Sequence, residues 1–142
     1  MIQGTGALIC CTKTDRYLFL LRNGTKYGST WGLPGGGIER GELPSTALSR
    51  EIHEELGGTI KDAKLIPIET FTSNNGKFSY CTFLITVDEE FVPILNDEHR
   101  GYAWVSLADH PKPLHPGVWR TINFTEVSRK LEVAVAAIRE KY

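Results

Sequence analysis

The sequence predicts an α/β fold of the α+β kind, a mixed sheet with helices on its faces. Three observations lead there. Short apolar runs of strand type stand before and after one helical segment, an Asn-Gly turn joins two of the later runs, and a second helical stripe closes the chain.

The elements follow in order. Residues 5–12 are rich in apolar side chains and read as a buried strand, and residues 17–22 as a second, with residues 13–16 turning the chain between them. Residues 23–37 read as a long loop with glycines and one proline, and a loop of that length inside a small domain is usually functional. A helix comes next. Glu42 and Pro44 suit its first turn, Leu48, Ile52 and Leu56 recur every four residues as its buried stripe, and Gly57 suits its C-terminal cap. Residues 64–71 and 78–87 read as strands around Asn74-Asn75-Gly76, and residues 102–105 as a short strand. Phe71, Phe78 and Tyr80, which flank that turn, are expected mostly in the core. Pro111, Pro113 and Pro116 break the following stretch into loop. Asn123, with Glu126 three residues on, resembles a capping box, and Phe124, Val127, Leu131, Ala134, Val135 and Ile138 form the last helical stripe.

The length, 142 residues, suits one domain with a full core, so 1–142 is expected to be a single unit. Apolar residues at 41% and charged residues at 23% are ordinary for a soluble globular chain. A net charge of −1 carries no basic excess, which disfavours nucleic acid and membrane surfaces as partners. An odd set of three cysteines, Cys10, Cys11 and Cys81, argues against a disulfide framework and for reduced thiols in the cytoplasm. No charged region precedes the first apolar run, so a signal peptide is not expected, and no stretch is long enough to span a bilayer. The sequence does not read out an oligomeric state, and a homodimer is left open.

Chemistry concentrates in residues 36–57. Gly36 is followed by Glu42 and then by Arg50-Glu51-Ile52-His53-Glu54-Glu55-Leu56-Gly57, directly after Leu33-Pro34-Gly35. On a helix Glu51, Glu54 and Glu55 stand at i, i+3 and i+4 and share a face. Like charges so placed repel and raise one another's pKa unless a cation sits among them. Clustered oxygen ligands suit Mg²⁺ or Mn²⁺. A merely solvated acidic face would need neither the glycine turn before it nor the arginine inside it. Arg50 and Glu54, four apart, can pair. Arg22, ending a strand, is either a phosphate contact or a solvated arginine. Trp31 reads as packing and His53 as solvated, and His99, His110 and His115 have no zinc spacing with the cysteines.

This segment resembles the signature of the Nudix hydrolases, G-x5-E-x7-R-E-U-x-E-E-x-G-U with U aliphatic. Gly36, Glu42, Arg50, Glu51, Ile52, Glu54, Glu55 and Gly57 match, while Gly58 stands at the final U, a departure that bears on packing more than on activity. Trp31-Gly32-Leu33-Pro34-Gly35-Gly36 is also similar to the family, and the resemblance spans nearly the whole chain. It implies an α/β/α sandwich and divalent-metal-dependent hydrolysis of a pyrophosphate bond. It assigns Glu51, Glu54 and Glu55 to Mg²⁺ or Mn²⁺, with the Gly35 carbonyl as a further ligand. Arg50 orients and neutralises its glutamate neighbours. Glu42 either supports that set, or an additional metal, or compensates the helix dipole. Family members take the general base from the helix, here Glu51 or Glu54, or from a distant loop; Glu98, in Asn96-Asp97-Glu98-His99 before Tyr102-Ala103-Trp104-Val105, resembles that loop glutamate and is expected as metal ligand or base.

The substrate expected from the sequence is a nucleoside diphosphate linked to X, of the ADP-ribose, nucleotide sugar or dinucleoside polyphosphate class. The alternative is a (d)NTP pyrophosphohydrolase of the pool-sanitising type. A non-catalytic nucleotide sensor is a third reading, which the presence of Glu51, Glu54 and Glu55 disfavours. Residues 24–30 and 112–120 are the candidate specificity loops.

Overall fold

In chain order the elements are β1 (Ile2–Cys11), β2 (Arg16–Arg22), β3 (Trp31–Gly32), β4 (Gly35–Gly37), α1 (Pro44–Leu56), β5 (Ile66–Thr72), β6 (Phe78–Val87), β7 (His99–Val105), α2 (Pro116–Ile122) and α3 (Thr125–Lys141). They come from a computed structural model, which describes residues 2–24, 26–61 and 63–141. A strand buried on both faces sends alternate side chains into two cores, and β1 does so. Its Ala7, Ile9 and Cys11 meet Leu48, Ile52 and Leu56 of α1 on one face. Its Leu8 and Cys10 meet Val118 and Ile122 of α2 and Val127, Leu131 and Val135 of α3 on the other. The chain therefore stacks α1, the sheet, and α2 with α3 as three layers.

The sheet has seven strands in the order β3-β2-β1-β6-β5, with β4 added to β1 and β7 to β2. It is mixed, because β1 runs parallel to β6 from Ile2↔Phe78 to Cys11↔Val87 and antiparallel to β2 and β4. The hairpin joining β1 to β2 turns through Asp15 at φ 59°, and the one joining β5 to β6 through Gly76 at φ 70°. Both turns fall where the sequence places them.

Helix α1 has no side-chain bond at its N-cap, Leu43, so its start rests on Pro44, whose missing N–H costs nothing there. Its stripe does the rest, since Leu48 and Leu56 are fully buried and Ile52 is nearly so, each contributing about 1.5–3 kcal/mol. Gly57 ends it at φ 63°, a conformation a side chain resists.

The structure corrects five expectations. The stretch 23–37 is not all loop, because β3 and β4 pair with β2 and β1 and fix the glycines in the sheet. Glu42 lies before α1 rather than in its first turn, which holds no acidic residue. Pro116 starts helix α2 instead of breaking the chain, for the reason that Pro44 starts α1. Asn123 caps no N-terminus: its Nδ2 donates to the Trp119 carbonyl at 2.8 Å, closing α2. Phe71 and Tyr80 are only partly buried and Phe78 is exposed, for they line the surface at the β5–β6 edge, where the Arg120 guanidinium lies 4.2 Å from the Phe71 ring centre.

Candidate active site

The sheet and α1 converge on one polar cavity of about 640 Å³. Its walls include Arg22 from β2, Gly35–Gly37, Glu51 and Glu55 from α1, and Asp97, Glu98 and His99 at the start of β7. That volume is the usual size for a small-molecule ligand. Strand pairing brings the far wall in: β7 lies beside β2, and His99 is registered opposite Arg22.

Glu55 is the deepest carboxylate, 2% exposed. The Gly35 N–H donates to its Oε1 at 2.7 Å. Burial raises its pKa to about 9, against the pull of the Gly35 bond, and the neighbouring charges of Glu51 and Glu98 add to the rise. Glu51, one turn earlier, is raised by burial and lowered by Arg50. Gly36 permits its approach, since a Cβ there would stand 2.5 Å from the Glu51 carboxyl carbon.

Arg50 is shared among acids. Its Nε donates to Glu42 Oε2 at 2.9 Å, Nη2 to Glu42 Oε1 at 3.0 Å and Nη1 to Glu51 Oε1 at 2.9 Å. Nη2 also reaches the Gly37 carbonyl at 3.0 Å. The bidentate pair, with the Glu39 N–H donating to Glu42 Oε1, holds the Glu42 pKa down at about 2. Glu42 is thus bound to Arg50, which in turn is bound to Glu51. Glu54 differs from its two helix partners. Its side chain is 51% exposed, with Oε1 3.6 Å from Arg50 Nη1, and Glu54 is not among the residues lining the cavity.

The cavity also holds unpaired donors and acceptors. Arg22 Nε and His99 Nδ1 are buried without a hydrogen-bond partner. Burial, with the nearby Arg22 charge, lowers the His99 pKa to about 4, so the imidazole is neutral at pH 7. Glu55, Glu98 and His99 each bring one ligand atom within 4.8 Å of the others. Carboxylates converging with so little compensating charge fit a divalent cation, and the unpaired Arg22 fits a phosphate oxygen. Sequence reasoning missed His99. Had the strand been carried back to His99, the alternation His99, Gly101, Ala103 would have turned that ring inward.

The two expected specificity loops meet each other, and Gly24 of the first lines this cavity. The Trp31 N–H donates to the Pro113 carbonyl at 2.8 Å, and the Tyr27 ring stands edge-on to His115 at 4.6 Å. Thr25 of the first loop lies outside the described residues. Trp31 packs against the core as expected, and His53 is exposed. Among the described residues the three cysteines are free, and no helix is long and apolar enough to cross a membrane.

The sequence profile of the NUDIX domain matches residues 3–125. "Nucleoside triphosphatase NudI" of Salmonella typhimurium is 32% identical over 115 residues, covering 74% of this chain and 77% of that protein. A crystal structure of a MutT NUDIX hydrolase from Burkholderia pseudomallei superposes with a TM-score of 0.69 at 28% identity, covering 87% of this chain and 97% of that one. The MutT protein of Methanosarcina mazei gives 0.69 at 25% identity, covering 91% and 94%. The chain belongs to the Nudix family and is a hydrolase of pyrophosphate bonds in nucleoside-linked substrates.

Proposed function

We propose that the substrate is a nucleoside triphosphate, cleaved to nucleoside monophosphate and pyrophosphate in the cavity between α1 and β7. One observation carries the reading: the cavity sets a carboxylate side, Glu51, Glu55 and Glu98, against an arginine, Arg22, whose buried Nε has no protein partner. A polyphosphate chain bridging a cation and an arginine needs that pairing of charges. The sequence alone leans towards a nucleoside diphosphate linked to X. The likeness to a protein named nucleoside triphosphatase, 32% identical, supports the triphosphate instead.

Glu51, Glu54, Glu55 and Glu98, with the Gly35 carbonyl, would hold the divalent cation, Mg²⁺ or Mn²⁺. When bound it offsets substrate charge and lowers the pKa of a water. Arg22 donates to a phosphate oxygen and fixes the chain. Arg50, itself clamped by Glu42, keeps Glu51 oriented. The Glu98 carboxylate, exposed at the rim, takes the proton from the attacking water. The new P–O bond forms as the bridging P–O bond breaks, and the electron pair leaves with pyrophosphate. On this reading the enzyme works in the cytoplasm with reduced thiols; burial holds Cys10 up at about 11, well out of thiolate range at neutral pH.

The test is product identification by ion-exchange chromatography with Mg²⁺. The panel holds each NTP and dNTP, ADP-ribose, nucleotide sugars and dinucleoside polyphosphates. Pyrophosphate and a nucleoside monophosphate from at least one triphosphate are expected. Cleavage confined to ADP-ribose, sugar-linked or dinucleoside substrates would reject the triphosphate and restore the X-linked reading.

A further inference from the structure

The wall of the cavity formed by β7 carries a donor that the glutamate motif does not contain. His99 is buried to 7% exposure, and its Nδ1 faces Glu55 Oε2 at 3.4 Å without forming a hydrogen bond. Glu55 is no freer to turn away, because its other oxygen accepts the Gly35 N–H at 2.7 Å. A neutral imidazole nitrogen and a carboxylate oxygen can each turn a lone pair to a shared partner, and the geometry of this pair is not that of a hydrogen bond.

A cation fits that geometry. Two donors each about 2.1 Å from one ion, at angles between octahedral and tetrahedral, stand roughly 3.0–3.4 Å apart. The Nδ1–Oε2 separation falls at the end of that range. Glu98 adds an oxygen, and all three ligand atoms lie within 4.8 Å of one another. The fold builds this convergence from three independent placements. Glu55 is set by the α1 stripe, His99 by its register opposite Arg22, and Glu98 by the turn in which its N–H donates to Asn96 Oδ1 at 3.0 Å.

We propose that His99 Nδ1 is a nitrogen ligand in a Glu55–Glu98–His99 cation site, and that it tilts the enzyme's preference from Mg²⁺ towards first-row transition cations such as Mn²⁺. Mg²⁺ holds oxygen and water, whereas an imidazole ligand favours the transition series. The inference rests on the metal-dependent reading above and adds to it a ligand and a selectivity.

Pulsed EPR of Mn²⁺ bound to the metal-stripped protein tests it without turnover. Wild type is expected to show ¹⁴N coupling to bound Mn²⁺. In His99→Gln that coupling is expected to vanish, with the Mn²⁺ Kd rising about tenfold or more and the Mg²⁺ Kd changing less. Bound Mn²⁺ with no ¹⁴N coupling in wild type, or coupling that persists in His99→Gln, overturns the proposal while leaving metal dependence standing. Absence of any Mn²⁺ binding overturns both. Should His99→Gln fail to fold, the variant His53→Gln/His110→Gln/His115→Gln leaves His99 as the sole histidine of the four in the chain. Coupling retained there supports the assignment, and coupling lost with Mn²⁺ still bound rejects it.

Discussion

Glu55→Gln is expected to lower kcat on the order of 10²-fold or more while the fold persists. Glutamine keeps an oxygen for the Gly35 N–H, so the bond that seats the side chain survives. What it loses is the charge that a cation needs. The same substitution has a signature in stability. Burial raises the folded pKa of Glu55 to about 9, above the ordinary carboxylate value of the unfolded chain. A raised pKa means that the folded protein holds a proton the unfolded chain has released. The stability it contributes is fully present below about pH 4.5 and is lost as pH rises through about 9. Metal-free wild type is therefore expected to melt at falling temperature across that window. Glu55→Gln should flatten this part of the profile, and excess Mg²⁺ or Mn²⁺ should restore the alkaline side in wild type alone. A Glu55→Gln enzyme with near-wild-type kcat would remove Glu55 from the metal site, and a metal-free melting profile that does not respond to the substitution would contradict the buried, protonated carboxyl.

Glu98→Gln is expected to cost roughly 10²–10⁴-fold in kcat, the scale for losing a general base. Glu98 is exposed at the rim, and its backbone is held twice, its N–H by Asn96 and its carbonyl by the Asn23 N–H at 2.9 Å. Replacing the carboxylate thus leaves the loop in place. As ligand and base together, Glu98 makes the variant need more metal, yet saturating metal should not recover the rate. Full recovery at saturating Mg²⁺ would make Glu98 a ligand only. An unaltered rate and metal response would return the base to Glu51 or Glu54 on α1.

The layers of the fold were legible because β1 and α1 each declare their buried faces in sequence. The apolar run in β1 fills two cores, and Leu48, Ile52 and Leu56 mark one side of α1. Proline misled at residue 116, since the same residue that stops a helix from within starts one at its first position. The short strands β3 and β4 were hidden because glycine and proline punctuation says nothing of pairing partners far away in the chain. The acidic motif puts Glu51 and Glu55 on one helix face, and both line the cavity, yet spacing alone cannot tell a lining carboxylate from a shared one. Only the three-dimensional position of Arg50 shows Glu54 half exposed beside it. His99 was invisible to spacing arguments because its partners, Glu55 and Arg22, come from other elements, and the strand that turns it inward begins at His99 itself.

The most direct test of the account is the rate of nucleoside triphosphate hydrolysis by chelator-treated protein as free Mg²⁺ or Mn²⁺ is returned. Turnover is predicted to be absent without a divalent cation and to rise to saturation with it, yielding pyrophosphate and nucleoside monophosphate together. Full turnover in the chelated protein, with no response to either ion, would contradict a cation held by Glu51, Glu55 and Glu98.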